Sequence, residues 1–242
     1  MPAPDETFAG IAEEIHVRNP KMKRAGKIFF GLLAVAALVA TGACWPTRSA
    51  QPLEDGLAAL EKGRFKKAAR LFEQALKTTP EDATVCCNLG IAYWRLHQTE
   101  PAVTYLQKAG ALTVEDPRPY EFLAAVYREN QQWNEAWQAL SQAYQRIPLS
   151  PRILTSIATV DLHRRGPAAA IPWLRQALAI GPNYAPAVYN MGRIYRDWLN
   201  DSTAARPYFD RFLKIAATDP RAEPLRRSLG ETESLLRTVL YH

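Results

Sequence analysis

A chain of 242 residues with 48% hydrophobic and 22% charged side chains holds enough apolar mass for one large or two small cores, which excludes general disorder. Only 12 glycines stand against 18 prolines, a poor supply of turns for an all-β protein, so the composition points to helices bounded by proline. The net charge of +6 is densest in residues 151–184, where Arg152, Arg164, Arg165 and Arg175 face Asp161 alone, far short of the Lys/Arg stripe of a dedicated nucleic-acid binder.

Residues 1–27 form a short N-terminal segment that ends in a basic cluster, Lys21, Lys23, Arg24 and Lys27. Residues 28–45 then run from Ile28 to Trp45 without a charge, and eight of them are Leu, Ile, Phe or Val. Membrane insertion of such a run is favoured by roughly 2–5 kcal/mol. Four positive charges precede it and only Arg48 follows closely, so the chain before it stays cytoplasmic and the rest is expected on the extracytoplasmic, periplasmic side. Two readings stay open. One is a single N-terminal hydrophobic helix that spans the membrane uncleaved. The other is a processed signal, since a chain read from Met22 would have a basic start and a 13-residue apolar core to Ala40. Thr41, Gly42 and Ala43 before Cys44 resemble a bacterial lipoprotein signal, which would leave Cys44 acylated, although Thr41 stands where that family has an aliphatic residue.

From residue 49 onward a 34-residue period dominates. Ala68, Ala102, Ala136 and Ala170 obey it, as do Ala75, Ala109, Ala143 and Ala177, and Pro80, Pro148 and Pro182 lie at its multiples. Small residues mark where two antiparallel helices approach closely, and large ones one turn away, Phe72, Leu106, Leu140 and Leu174, fill the space between. Leu89, Gly90 and Tyr93 recur as Leu123, Ala124 and Tyr127 and as Met191, Gly192 and Tyr195, with Asp161 in the tyrosine slot of the fourth unit. The pattern resembles the tetratricopeptide repeat (TPR), which wants Leu-Gly or Leu-Ala and an aromatic in its first helix and Ala, a large apolar residue and Ala in its second. The resemblance implies an all-α, right-handed α-solenoid of about five helical hairpins over 49–219: 49–82, 83–116, 117–150, 151–184 and 185–219. The last unit needs one inserted residue to bring Ala205, Phe209 and Phe212 into register. Pro172 and Pro207 should fall in the first turn of their helices, and residues 220–242, with Leu225, Leu229 and Leu235, should form a capping helix.

The same resemblance implies an inner groove lined by the first helix of each unit, and carries the protein-binding role to Trp94, Arg95, Arg118, Arg128, Arg152, His163, Tyr189, Arg193 and Arg196. Arginine with tryptophan and tyrosine is the composition of binding hot spots and suits an extended or helical peptide bearing carboxylates. Glu121, Glu129 and Asp197 are also groove residues, and would pair with those arginines were the groove unused. Leu53 and Leu57 stand where the chaperone-tail clamp of the family has Lys and Asn, so that partner is not expected. Cys87 falls in the groove as well, where an exported thiol would reach a client, or where it simply packs as a small apolar residue.

Nothing in the sequence converges on catalysis. The four histidines are scattered, Asp161 and His163 point to different helix faces, and no phosphate loop or metal spacing occurs, so no enzyme activity, cofactor, metal or nucleic-acid partner is expected. The sequence reads as a membrane-tethered scaffold for protein partners whose identity it does not state, with structural self-association as the alternative. Envelope proteins of similar layout act in outer-membrane assembly, pilus biogenesis or secretion.

Overall fold

The computed structural model describes residues 51–230, which form consecutive helices with no strand among them. They pair as α1 (Gln51–Glu61) with α2 (Phe65–Thr78), α3 (Ala83–Arg95) with α4 (Thr99–Leu112), α5 (Arg118–Glu129) with α6 (Trp133–Arg146), and α7 (Pro151–Arg165) with α8 (Pro167–Ile180). In the fifth pair, α9 (Ala185–Arg193) runs into a π turn over Ile194–Trp198 and then packs on α10 (Ser202–Ile215). A last helix, α11, covers 222–230. Residues 1–27, the apolar run 28–45, Cys44 and the expected cap beyond 230 lie outside the described residues. Among the described residues no helix is long and apolar enough to cross a membrane.

Each helix packs against the next in the chain, and first helices of successive pairs also touch, α1 with α3, α3 with α5 and α7 with α9. The side on which the elements draw together is the inside of the curve, so the first helices line the inner face. Both alanine series are buried to 1% exposure or less, and so are Phe72, Leu106, Leu140 and Leu174. The reason is steric. A Cβ added to Gly56 would lie 2.5 Å from the Phe72 ring, one at Gly90 2.6 Å from Leu106 Cγ, and one at Gly192 2.6 Å from the Phe209 ring. In the third and fourth pairs the slot holds Ala124 and Ala158 instead, both still buried.

The tyrosine slot shows how one repeat position is filled by different chemistry. Tyr93 stacks on Tyr105 with ring centres 5.7 Å apart and donates its hydroxyl to Glu73, and Tyr195 stacks on Tyr208 at 5.6 Å. In the fourth pair Asp161 occupies the slot, fully buried, and Trp173 takes the place of the partner tyrosine. Arg164 Nη1 donates to Asp161 Oδ1 at 2.8 Å, Trp173 Nε1 to Oδ2 at 2.9 Å, and the Arg165 guanidinium bridges both oxygens. Burial acts to raise the Asp161 pKa, but the hydrogen bonds from Arg165, Trp173 and Arg164 outweigh it and hold the carboxyl below its ordinary value.

Turns between the two helices of a pair use a left-handed residue: Gly63 (φ 67°), His97 (φ 58°), Gln131 (φ 57°), Gly166 (φ 86°) and Asn200 (φ 52°). The fifth pair spends one extra residue here. Gln98 N and Gln132 N bond to the carbonyls of Tyr93 and Tyr127, five residues back, whereas Asp201 N bonds to Tyr195 O, six back. The π turn takes up the surplus, as the bond from Leu199 N to Ile194 O shows. Helix starts are capped by Asp82, Ser150 and Asp201, each accepting from backbone N–H groups two or three residues on. Pro172 and Pro207 correct an expectation: each is the sixth residue of its helix, in the second turn, not the first. The carbonyls they leave without a helix donor belong to Ala168 and Thr203, which are exposed and open to water. At the C-terminal end Ala222 and Leu225 close over Val188, Phe209 and Phe212.

Candidate functional site

Two hollows open on the inner face. The larger, about 200 Å³, is built by three successive first helices, with Trp94 from α3, Glu121, Phe122, Ala124, Ala125 and Arg128 from α5, and Arg152, Ser156 and Val160 from α7; Leu140 of α6 closes its floor. The helical spacing dictates this convergence, because Glu121, Ala125 and Arg128 lie four and three residues apart on one face. Trp94 stands against Phe122, ring centres 6.1 Å apart, and its Nε1 donates to Glu129 Oε2 at 2.7 Å. Arg152 pairs with Glu121 across the hairpin boundary. Burial raises the Glu121 pKa, against the lowering effect of the Arg152 charge. Arg128 is exposed and makes no ion pair among the described residues.

The smaller hollow, about 120 Å³, lies between α7 and α9 and is lined by Thr159, Leu162, His163, Asn190, Arg193 and Trp198, among others. His163 stacks on Trp133 at 4.1 Å with 9° between the planes and meets the edge of Trp198 at 5.6 Å. Partial burial, together with the charges of Arg193 and Arg128, holds the His163 pKa below its ordinary value. Arg193 itself bonds Asp197 Oδ2 at 3.0 Å.

Of the nine residues that the sequence assigns to the groove, the hollows thus gather Trp94, Arg128 and Arg152 in one and His163 and Arg193 in the other. The remaining four are engaged elsewhere in the chain. Arg95 lies over the Phe65 ring at 5.0 Å, and Arg118 is held by Asp116, with Nε 2.9 Å from Oδ2. Arg196 lies over Phe209 at 4.8 Å and bonds Asp197. Tyr189 packs on Phe212 and is covered by the Arg221 guanidinium at 4.5 Å. Glu121 is the residue whose burial the sequence did not reveal: it is named there as a groove residue and counter-ion, and the hollow around it is shared with neighbours from two other hairpins.

Cys86 and Cys87 are free and buried. Burial, only partly opposed by Arg118, pushes the Cys87 thiol up to about 12, so it is a packing residue and carries no thiolate for exchange with a client. Among the described residues no group of three or more His, Cys, Asp or Glu side chains could hold a metal ion.

The comparisons agree with this geometry. A tetratricopeptide repeat family model matches residues 59–126. No curated protein matches the sequence. Among solved structures, PilF of Pseudomonas aeruginosa is 22% identical with a TM-score of 0.65, covering 77% of this chain and 84% of its own. MamA of Desulfovibrio magneticus RS-1 is 16% identical with a TM-score of 0.62, covering 72% and 98%, and a thermophilic TPR protein of Thermus thermophilus is 22% identical with a TM-score of 0.59, covering 78% and 99%. The described chain has the fold of a tetratricopeptide solenoid, a fold that generally serves protein–protein interaction and not catalysis.

Proposed function

We propose that the chain is a non-enzymatic scaffold tethered to a bacterial-type membrane that holds protein or peptide partners along the inner face of its helix pairs. The observation that carries this reading is the larger hollow, where an apolar floor shared by three hairpins is rimmed by Trp94, Arg128 and Arg152. Large amphipathic side chains around a desolvated floor are what binding hot spots are made of. Arg128 without an ion pair and Arg152 beside it favour a partner segment that carries carboxylates. The tether is residues 28–45 as a span or an acylated Cys44, and the basic cluster before it directs the solenoid to the periplasmic side. Such a scaffold serves envelope assembly, pilus biogenesis or secretion.

The test is quantitative capture of partners from detergent-solubilised membranes, comparing the native chain with a Trp94→Ala, Arg128→Ala, Arg193→Ala variant whose melting curve shows it still folded. Partners lost from the variant support the groove; partners that persist remove it. Self-association is favoured by a separate observation, the exposure of Val114 at 82% and Leu149 at 69% on turns between hairpins, away from the groove. Sedimentation that is unchanged in a Val114→Ser, Leu149→Ser variant would dismiss that second reading.

A further inference from the structure

The first helix pair is neutral in sum, with six cations and six carboxylates over 49–82, but its charges are sorted by helix. Glu54, Asp55 and Glu61 are on α1, whereas α2 carries Lys66, Lys67, Arg70 and Lys77. Helical spacing sets these four, with Gln74 among them, on the side of α2 turned away from its buried Ala68, Phe72 and Ala75, and all five are exposed. Lys62 and Arg64, exposed in the turn before α2, continue the patch. None of the six cations makes an ion pair or a side-chain hydrogen bond among the described residues. The one carboxylate of α2, Glu73, lies at the edge of this face and accepts from the Tyr93 hydroxyl. The other pairs lack such a face. At the same five positions α4 has Glu100 and Lys108, α6 has Glu135 alone and α8 has no charge. In α10 the positions hold Arg211 and Lys214, and Arg211 is spent on Pro182 O at 2.6 Å. Packing of the repeat therefore does not call for four cations here, and Arg70, four residues from Lys66 and three from Lys67, repels both.

What meets this face is anionic, and two features say which anion. The first is the want of an apolar anchor: Leu71 and Leu76 turn into the core, and Phe65 is covered by Arg95. A protein partner draws its affinity from such anchors, whereas a fluid charged surface needs none. The second is chain length. The apolar run ends at Trp45 and α1 begins at Gln51, so whether 28–45 spans the membrane or Cys44 is acylated, at most roughly 20–25 Å of chain separates this pair from lipid. We infer that this face of α2 is a docking surface for anionic phospholipid head groups, holding the first helix pair against the bilayer that carries the chain's tether. Because the tether makes the encounter intramolecular, a contact that is weak by itself suffices. This assignment rests on the tether reading above.

The test uses the full 242-residue chain in vesicles of phosphatidylcholine, alone or with about one third phosphatidylglycerol, doped with a lipid that bears a nitroxide on its head group. A fluorescent amino acid replaces Gln74 in one sample and Gln138, exposed on α6, in another. Quenching at Gln74 should be at least about threefold stronger with phosphatidylglycerol, and should fall to the neutral-vesicle level at about 1 M salt, where screening acts within about 3 Å. It should be lost in a Lys66→Gln, Lys67→Gln, Arg70→Gln, Lys77→Gln variant, whose exposed substitutions leave the core untouched and whose melting curve checks the fold. Quenching at Gln138 should not respond to lipid charge. Equal quenching at Gln74 in both vesicles, an equal response at Gln138, or quenching that survives in the variant overturns the docking. Flotation of the same samples tests the tether separately. Chain that floats with neutral vesicles but shows no lipid dependence at Gln74 keeps the tether and loses the docking. Chain that floats only with phosphatidylglycerol, and not as the variant, keeps the docking and loses the tether; no flotation with either lipid removes both.

Discussion

Two first helices each bury one carboxylate, and the chain treats them in opposite ways. Asp161, between the helices of the fourth pair, has both oxygens engaged by Arg164, Arg165 and Trp173. Glu121, on the inner face of the third pair, has one oxygen paired and the other bare. The same repeat frame therefore holds one buried carboxylate that is fully bonded and one that is only half bonded. A fully satisfied buried charge secures architecture, whereas a half-satisfied one is a cost that architecture does not need.

Breaking the complete site should have the largest effect. Asp161→Ala strands the Trp173 N–H and the largely buried Arg164, and should cost about 3 kcal/mol in denaturant melts. The effect has a pH signature. The folded Asp161 carboxyl lies below its ordinary value of about 3.9, so its contribution is present above that pH and is lost as pH falls through the folded value. The gap between native and variant stability should accordingly close on acidification below about pH 4. Next in size, Gly192→Ala forces a Cβ against the Phe209 ring at 2.6 Å and should cost about 2 kcal/mol.

Removing the incomplete site should do little harm. Glu121→Leu should leave stability unchanged or raise it by up to about 1 kcal/mol, and a loss of more than about 2 kcal/mol would erase the distinction between the two carboxylates. Its pH signature has the reverse sign: the folded Glu121 carboxyl lies above its ordinary value, so the penalty is present at neutral pH and fades as pH falls through that raised value. The smallest change lies outside both sites. Gln131→Gly relieves a left-handed residue (φ 57°) and should add about 0.5–1 kcal/mol, measured by thermal melting.

What the sequence disclosed divides along the same line. The alanine series and the Gly90 and Gly192 slots were legible because close packing demands small side chains at fixed spacing, and each is buried. The left-handed residues at His97 and Gln131 were hidden, since neither is the glycine that normally announces such a turn. Pro172 and Pro207 lie one turn deeper than their spacing suggests because exposed carbonyls tolerate a missing donor. In the groove, repeat position fixes where a Cα sits but not where a long guanidinium goes. Arg95 and Arg118 turn to Phe65 and Asp116, neighbours outside the recurring pattern, and Arg196 lies over Phe209 of its own pair, while Arg128 finds no such neighbour and stays at the rim. The pairing of Glu121 was beyond any reading of one hairpin, because its partner, Arg152, comes from α7 of the next one.

Photo-crosslinking from single positions of the full chain in cells asks directly whether the inner face meets a partner. A photoreactive residue placed at Arg128 on the inner rim should give discrete adducts, while one at Gln138, exposed on α6, should give none. Adducts from Gln138 with none from Arg128 would contradict the inner face as the binding surface and move recognition to the second helices.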